Sequence, residues 1–161
     1  MFEKSWFESW YATKDPWSYR SISDDINRKN ILLKTIAECG PHDKVLDIGC
    51  GEGFITESID SHEVHGIEIS DSAASRFAPH IKRVHSPEAP YSLTLTAGTL
   101  YKEYDHVSIA RWVVQSKSRW VLVAGIKDWL IPYNFGNIIN QFEFDYRGNL
   151  RQQVTLYETS A

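Results

Sequence analysis

Cysteine occurs only twice in 161 residues, at Cys39 and Cys50. Two thiols are too few for a disulfide framework or a zinc cluster, so they read as reduced side chains flanking one strand. Positive charge is also thin: 17 Lys and Arg against 21 Asp and Glu give a formal net charge of −4, and the basic residues are scattered. With no field for gripping a phosphate backbone, no nucleic-acid partner is expected. No apolar run approaches the ~20 residues of a membrane span, and Met1-Phe2-Glu3-Lys4-Ser5-Trp6 lacks the basic-then-apolar order of a secretory leader. The expectation is a soluble, cytoplasmic protein with no membrane partner. Repeats and low-complexity tracts are missing too. His, Asp and Glu nowhere fall at metal-ligand spacing, so no metal site is expected. A chain of this length suits one domain, able to bury roughly 70% of its unfolded surface.

Against these absences stands one dense stretch, Val45-Leu46-Asp47-Ile48-Gly49-Cys50-Gly51-Glu52-Gly53-Phe54. It reads as a buried strand running into a glycine turn and then a helix, with an acid just ahead of the first glycine. Such a turn lets a ligand approach the backbone with no Cβ in the way. A second acid, Glu68, ends the next apolar strand Val64-His65-Gly66-Ile67-Glu68-Ile69, about 20 residues on, where a carboxylate would meet ribose hydroxyls. A nucleotide-like cofactor is the natural occupant.

Around this unit the chain divides into residues 1–40, an aromatic arm and a helix, and residues 41–161, a sheet. The arm, through about Ser23, is aromatic without clean periodicity (Trp6, Phe7, Trp10, Tyr11, Trp17, Tyr19). Asp24 or Asp25 is expected to cap a helix to about Ala37, stopped by Gly40-Pro41. Strands are predicted at Lys44–Ile48, Val64–Ile69, Ile81–His85, Tyr91–Thr96 and Arg119–Ile126. Helices are predicted at Phe54–Ile59, from Ser70 or Asp71 to about Phe77, and at His106–Val114. Residues 127–140 read as an irregular loop with one short helix at most. Gln141–Tyr146 and Leu150–Tyr157 alternate at period two around Arg147-Gly148-Asn149, a hairpin. The expected fold is α/β: a doubly wound, mostly parallel Rossmann-like sheet closed by a C-terminal antiparallel hairpin, in one domain. Only Pro87, Glu88, Ala89 and Pro90 separate the third and fourth strands, too few for a covering helix, so that connection is shortened.

These residues resemble the class I S-adenosylmethionine-dependent methyltransferases over essentially the whole chain. The resemblance rests on the 45–54 block, Glu68, the fourth-strand segment Ser92-Leu-Thr-Leu-Thr-Ala-Gly-Thr-Leu-Tyr101, the fifth strand and the terminal hairpin. Asp15-Pro16-Trp17-Ser18-Tyr19 and Gly98-Thr-Leu-Tyr101 look like the NodS branch, which acts on sugar-type amines. The resemblance implies S-adenosyl-L-methionine as cofactor. It places Gly49, Cys50, Gly51, Gly53 and Phe54 in the turn under the methionine portion, Asp47 positioning that portion, and Glu68 on the ribose. Ile69 would flank the adenine, and Ala97 and Gly98 would leave room for the sulfonium. Trp17, Tyr11 or Tyr19 would close over it as a lid, and Arg28 would pair with the cofactor carboxylate. The usual adenine contact after the third strand falls at Ser86, Pro87 and Glu88, a departure from the family.

The implied reaction is methyl transfer to an N or O atom of a small molecule or sugar. His106 is nominated as base, with Tyr101 and Tyr104 as substrate hydrogen-bonding groups and His85 as a more distant candidate. Trp129, Tyr133 and Phe135 suggest aromatic walls for the acceptor, and the wealth of aromatics also fits a homodimer. Two other readings stay open. A nicotinamide-dependent dehydrogenase would want G-x-G-x-x-G, but Phe54 stands at the last position. A non-catalytic cofactor-binding or partner-binding module fits the short length and the want of an evident base.

Overall fold

The computed structural model describes residues 1–160. Seven strands form one sheet: β1 (Lys44–Ile48), β2 (Glu63–Ile67), β3 (Ile81–Arg83), β4 (Leu93–Ala97), β5 (Trp120–Ile126), β6 (Asn137–Tyr146) and β7 (Leu150–Glu158). Their spatial order is β3-β2-β1-β4-β5-β7-β6. The first five are parallel; β7 runs antiparallel to β5 and to β6. The chain steps outward from β1 through β2 to β3 and then returns to the other side of β1 as β4. A crevice therefore opens between the carboxyl ends of β1 and β4, the switch point at which ligands bind in such sheets.

Alternation along each strand divides the core. Val45, Leu93, Leu95, Leu122 and Val154 face one side, with Leu32 and Ile36 of α2 (Ser23–Glu38). Leu46, Ile48, Val121 and Val123 face the other, with Ile109, Ala110 and Val113 of α4 (His106–Gln115). Strands buried on both faces read as continuous apolar runs, which is why β1, β2 and β5 were visible in the sequence. Two further helices are short: α1 (Lys4–Trp10) and α3 (Asp71–Ala74). The described residues contain no helix long and apolar enough to cross a membrane.

Several expectations need correction. The arm, read as irregular, contains α1; Phe2 just before it and Trp6 and Trp10 within it, at four-residue spacing, stack into one column (Phe2–Trp6 ring centroids 3.9 Å, Trp6–Trp10 5.6 Å). The segment Phe54–Ile59 is not an α-helix but a single 3₁₀ turn, Thr56–Ser58. Length explains it: the glycine turn ends at Gly53, and the nine residues 54–62, even fully helical, would rise only ~13 Å, short of the ~16 Å of a five-residue strand. Neither Asp24 nor Asp25 caps α2; the N-cap is Ile22, without a side-chain cap bond, and both acids lie in the first turn. The hairpin is longer than its alternation suggested, because exposed Asn137–Asn140 precedes it in strand conformation. By contrast Ser70 caps α3 by accepting from the Ala73 N–H at 3.1 Å, and Asp105 caps α4 at Ser108. The link from β3 to β4 is indeed helix-free. Both cysteines are free.

Candidate active site

The glycine turn and Glu68 fold as one unit. Gly49 and Cys50 donate their N–H groups to the Ile67 carbonyl at 2.7 and 3.3 Å, and Gly51 donates to Glu68 Oε1 at 2.8 Å. Gly49 and Gly51 hold φ of +73° and +59°, where a Cβ costs roughly 1–2 kcal/mol. A Cβ at Gly49 would also collide with Thr99 Cγ2, and one at Gly51 would lie 2.7 Å from Tyr11 Oη. The backbone must stay bare because β4's end and the arm press against it.

Two carboxylates are buried here. Asp47 Oδ2 accepts from Thr56 Oγ1 at 2.7 Å, and Glu68 Oε2 accepts from the Ser70 N–H at 2.9 Å. Burial pushes each up to about 7, despite the Thr56 hydroxyl beside Asp47 and the backbone donors on Glu68, which favour the ionised forms.

Opposite them stands a buried cation. Arg28 on α2 is 3% exposed, its guanidinium lies 5.0 Å over the Tyr19 ring, and its Nε has no hydrogen-bond partner. Its nearest carboxylate, Asp25, is 3.8 Å away, beyond a hydrogen bond.

The arm forms the outer wall. Arg76 donates to the Tyr11 carbonyl and to Glu52 Oε2, both at 2.7 Å. Glu52 Oε1 in turn accepts from the Asp15 N–H at 2.8 Å, and Asp15 Oδ1 from the Tyr19 N–H at 2.9 Å. Trp17 Nε1 donates to Tyr11 Oη at 3.1 Å. The result is a cavity of about 340 Å³. The turn and Asp47 line its floor, Glu68 and Ile69 one end, Arg28, Ala97 and Gly98 the other, and Phe7, Tyr11, Trp17, Tyr19, Phe54 and Tyr104 its aromatic sides.

Most of the residues expected from sequence meet here: Asp47, Gly49, Cys50, Gly51, Phe54, Glu68, Ile69, Ala97, Gly98, Trp17, Tyr11, Arg28 and Tyr104 all line the cavity. Three do not. His106 is turned away, its Nδ1 2.7 Å from Tyr133 Oη, because it opens α4 on the side that packs against the 131–135 loop. Tyr101 lies beneath the wall, where its hydroxyl accepts from the Ile126 N–H at 2.7 Å. Gly53 is buried under the turn; a Cβ there would touch Ile81 Cδ1 at 3.0 Å.

Trp129, Tyr133 and Phe135 also stay outside: Trp129 is 51% exposed against Tyr101, and Tyr133 and Phe135 stack on each other. After β3 it is His85 that lines the cavity, while Glu88 pairs with Lys82 at 2.8 Å on the surface. No group of three or more potential metal ligands forms among the described residues. Sequence reading missed Thr99, Arg83 and Trp112 in the lining and the Glu52–Arg76 pair behind the arm. The acid in the turn's last variable position and the Arg that follows α3 were the only signals available.

No protein-family model matches the sequence, and no curated protein matches it. Solved structures do. The N-methyltransferase NodS from Bradyrhizobium japonicum WM9, in complex with S-adenosyl-L-homocysteine, is 14% identical with a TM-score of 0.83, covering 98% of each chain. Magnesium protoporphyrin IX methyltransferase from Synechocystis PCC 6803, with bound S-adenosylmethionine, is 12% identical with a TM-score of 0.74, covering 99% of this chain and 98% of that one. An rRNA methylase from Escherichia coli is 13% identical with a TM-score of 0.60, over 84% of this chain and 65% of that one. The chain has the fold that these methyltransferases share.

Proposed function

We propose that the cavity binds S-adenosylmethionine and that the chain is a methyltransferase acting on an N or O atom of a small molecule or sugar. One observation carries this reading: a single aromatic-walled cavity at the switch point holds a buried cation with an unsatisfied Nε and two buried carboxylates. A ligand that brings a carboxylate, an ammonium group and vicinal ribose hydroxyls fits that donor set. Arg28 would hold the carboxylate, Asp47 the ammonium group and Glu68 the ribose, over the bare backbone of Gly49–Gly51. Bound there, S-adenosylmethionine supplies an electrophilic methyl group on a good leaving group.

The chain's own contribution is alignment and the exclusion of water. Trp17, Tyr19, Tyr11 and Tyr104 present ring faces that favour positive charge. Burial raises the phenols of Tyr11, Tyr19 and Tyr104, so these hydroxyls stay protonated. His85 stands three strands from the end of β4, ~14 Å at the usual strand spacing, and is remote from Ala97 and Gly98. The seclusion of His106 and Tyr101 favours a second reading, a module that binds the cofactor without transfer. Calorimetry with S-adenosylhomocysteine and transfer of radiolabelled methyl from S-adenosylmethionine to amine and hydroxyl acceptors separate the two. Binding with transfer supports the enzyme, binding without it the module, and no binding overturns both.

The buried carboxyls also set a pH dependence. With each raised to about 7, ligand-free protein favours their protonated forms, so their contribution to stability is present below the ordinary carboxyl range and is lost as pH rises through 7. Ligand binding requires the opposite, ionised forms. S-adenosylhomocysteine affinity is expected to fall between pH 8 and pH 6, by up to roughly tenfold per pH unit for each proton displaced, as titration calorimetry at several pH values would measure.

A further inference from the structure

The long Arg28–Asp25 contact and the unpartnered Arg28 Nε have a structural cause at the far end of the chain. Asp25 and Arg28 stand three residues apart on α2, both buried, and an isolated pair at that spacing closes into an ion pair. Here it stays at 3.8 Å, longer than a hydrogen bond, with both oxygens of the Asp25 carboxylate engaged by shorter contacts. Its Oδ1, the oxygen nearest Arg28, accepts from Tyr146 Oη at 2.5 Å. Its Oδ2 accepts from Arg147 Nε at 3.0 Å and from Arg147 Nη2 at 2.6 Å.

Tyr146 and Arg147 form the tip of the β6–β7 hairpin. Arg147 is locked there by a φ of +39°, by its own N–H donating to Asp24 Oδ2 at 2.7 Å, and by Nη2 donating to the Trp17 carbonyl at 2.8 Å. Two guanidinium groups thus share one carboxylate. Arg147 takes the short contacts, with Nε and Nη2 both donating to Oδ2 as charge-assisted bonds, and Arg28 is left at 3.8 Å from Oδ1 at the cavity wall.

We infer, resting on the cofactor reading above, that Tyr146 and Arg147 are positioning residues for recognition of the cofactor carboxylate: by occupying Asp25 they leave Arg28 free to face the cavity. Neither they nor Asp25 line it. Opening either contact hands Asp25 back to Arg28, which then pairs within the protein.

The test compares two ligands by calorimetry. S-adenosylhomocysteine carries the carboxylate; 5′-methylthioadenosine keeps the adenosine and sulfur and lacks the amino-acid portion. Tyr146→Phe removes one hydroxyl from Oδ1 and keeps the ring, so it is the variant that preserves the fold. It is expected to weaken S-adenosylhomocysteine about tenfold, the scale of one charge-assisted hydrogen bond, while 5′-methylthioadenosine changes less than about twofold. Arg147→Met is expected to show the same split more strongly, and Arg147→Lys to recover part of it. Decarboxylated S-adenosylmethionine, which retains the amine, should follow 5′-methylthioadenosine. Equal weakening of all ligands would mean that the network merely holds the arm, and no change in any would mean that Arg28 does not respond to Asp25; either result overturns the inference. Failure of the unaltered protein to bind S-adenosylhomocysteine would instead refute the cofactor reading.

Discussion

Asp25→Ala is expected to lower the unfolding free energy by about 3–5 kcal/mol, the range for removing one partner of a buried ion pair, read as the midpoint of urea denaturation. Asp25 is 0% exposed and stands between two guanidinium groups and a buried phenol. Without it Arg28 and Arg147 repel each other in a poorly solvated space and Tyr146 Oη loses its acceptor. Domains of this size are stable by roughly 5–15 kcal/mol, so the loss is a large share of the whole. Asp25→Asn keeps an acceptor for Tyr146 and is expected to cost less. Equal stability of Asp25→Ala and the unaltered protein would show that the three charges are solvated in solution.

The second large effect is on ligand binding. Glu68→Ala is expected to weaken S-adenosylhomocysteine by roughly 100-fold or more, on the basis of about 1.5–3 kcal/mol for each hydrogen bond to a charged group. Both carboxylate oxygens anchor backbone, one at Gly51 and one at Ser70, so the substitution also releases the turn against which the ligand would lie. The effect on the ligand-free fold runs partly the other way, because a carboxyl raised to about 7 by burial disfavours the folded state at higher pH. Above pH 7 the variant should therefore lose far more affinity than stability. Calorimetry and thermal denaturation on the same sample check both; unchanged affinity would remove Glu68 from the site.

Elements with a local signature were legible in the sequence. The 45–48 and 64–67 runs are apolar because both sheet faces are covered, and the hairpin alternates because β6 is not. The floor of the site was legible for a related reason: only bare backbone tolerates the contacts at Gly49 and Gly51. What failed was whatever depended on distance in space. His106 and Tyr101 follow β4 in sequence, yet a bond to Tyr133 turns one outward and the Ile126 N–H holds the other below the wall. The pair Asp25–Arg147 spans the chain, and nothing in residues 24–28 or 146–148 marks one as the partner of the other. The helix expected at Phe54–Ile59 failed because apolar spacing cannot report the distance a crossover must cover.

That missing helix changes what the cavity selects. In dinucleotide-binding sheets the turn after the first strand feeds a helix whose free N–H groups and dipole receive a pyrophosphate. Here one 3₁₀ turn follows, the Gly51 N–H is spent on Glu68, and Asp47 lies beneath. The floor thus places two buried carboxyl groups where such sheets offer positive potential, and the cationic side chains of the cavity, Lys4, Arg20, Arg28 and Arg83, stand in its walls. On the cofactor reading proposed above, a diphosphate laid across the turn would face two carboxyl groups and no helix N-terminus, so ATP and NAD are expected to bind more weakly than S-adenosylhomocysteine.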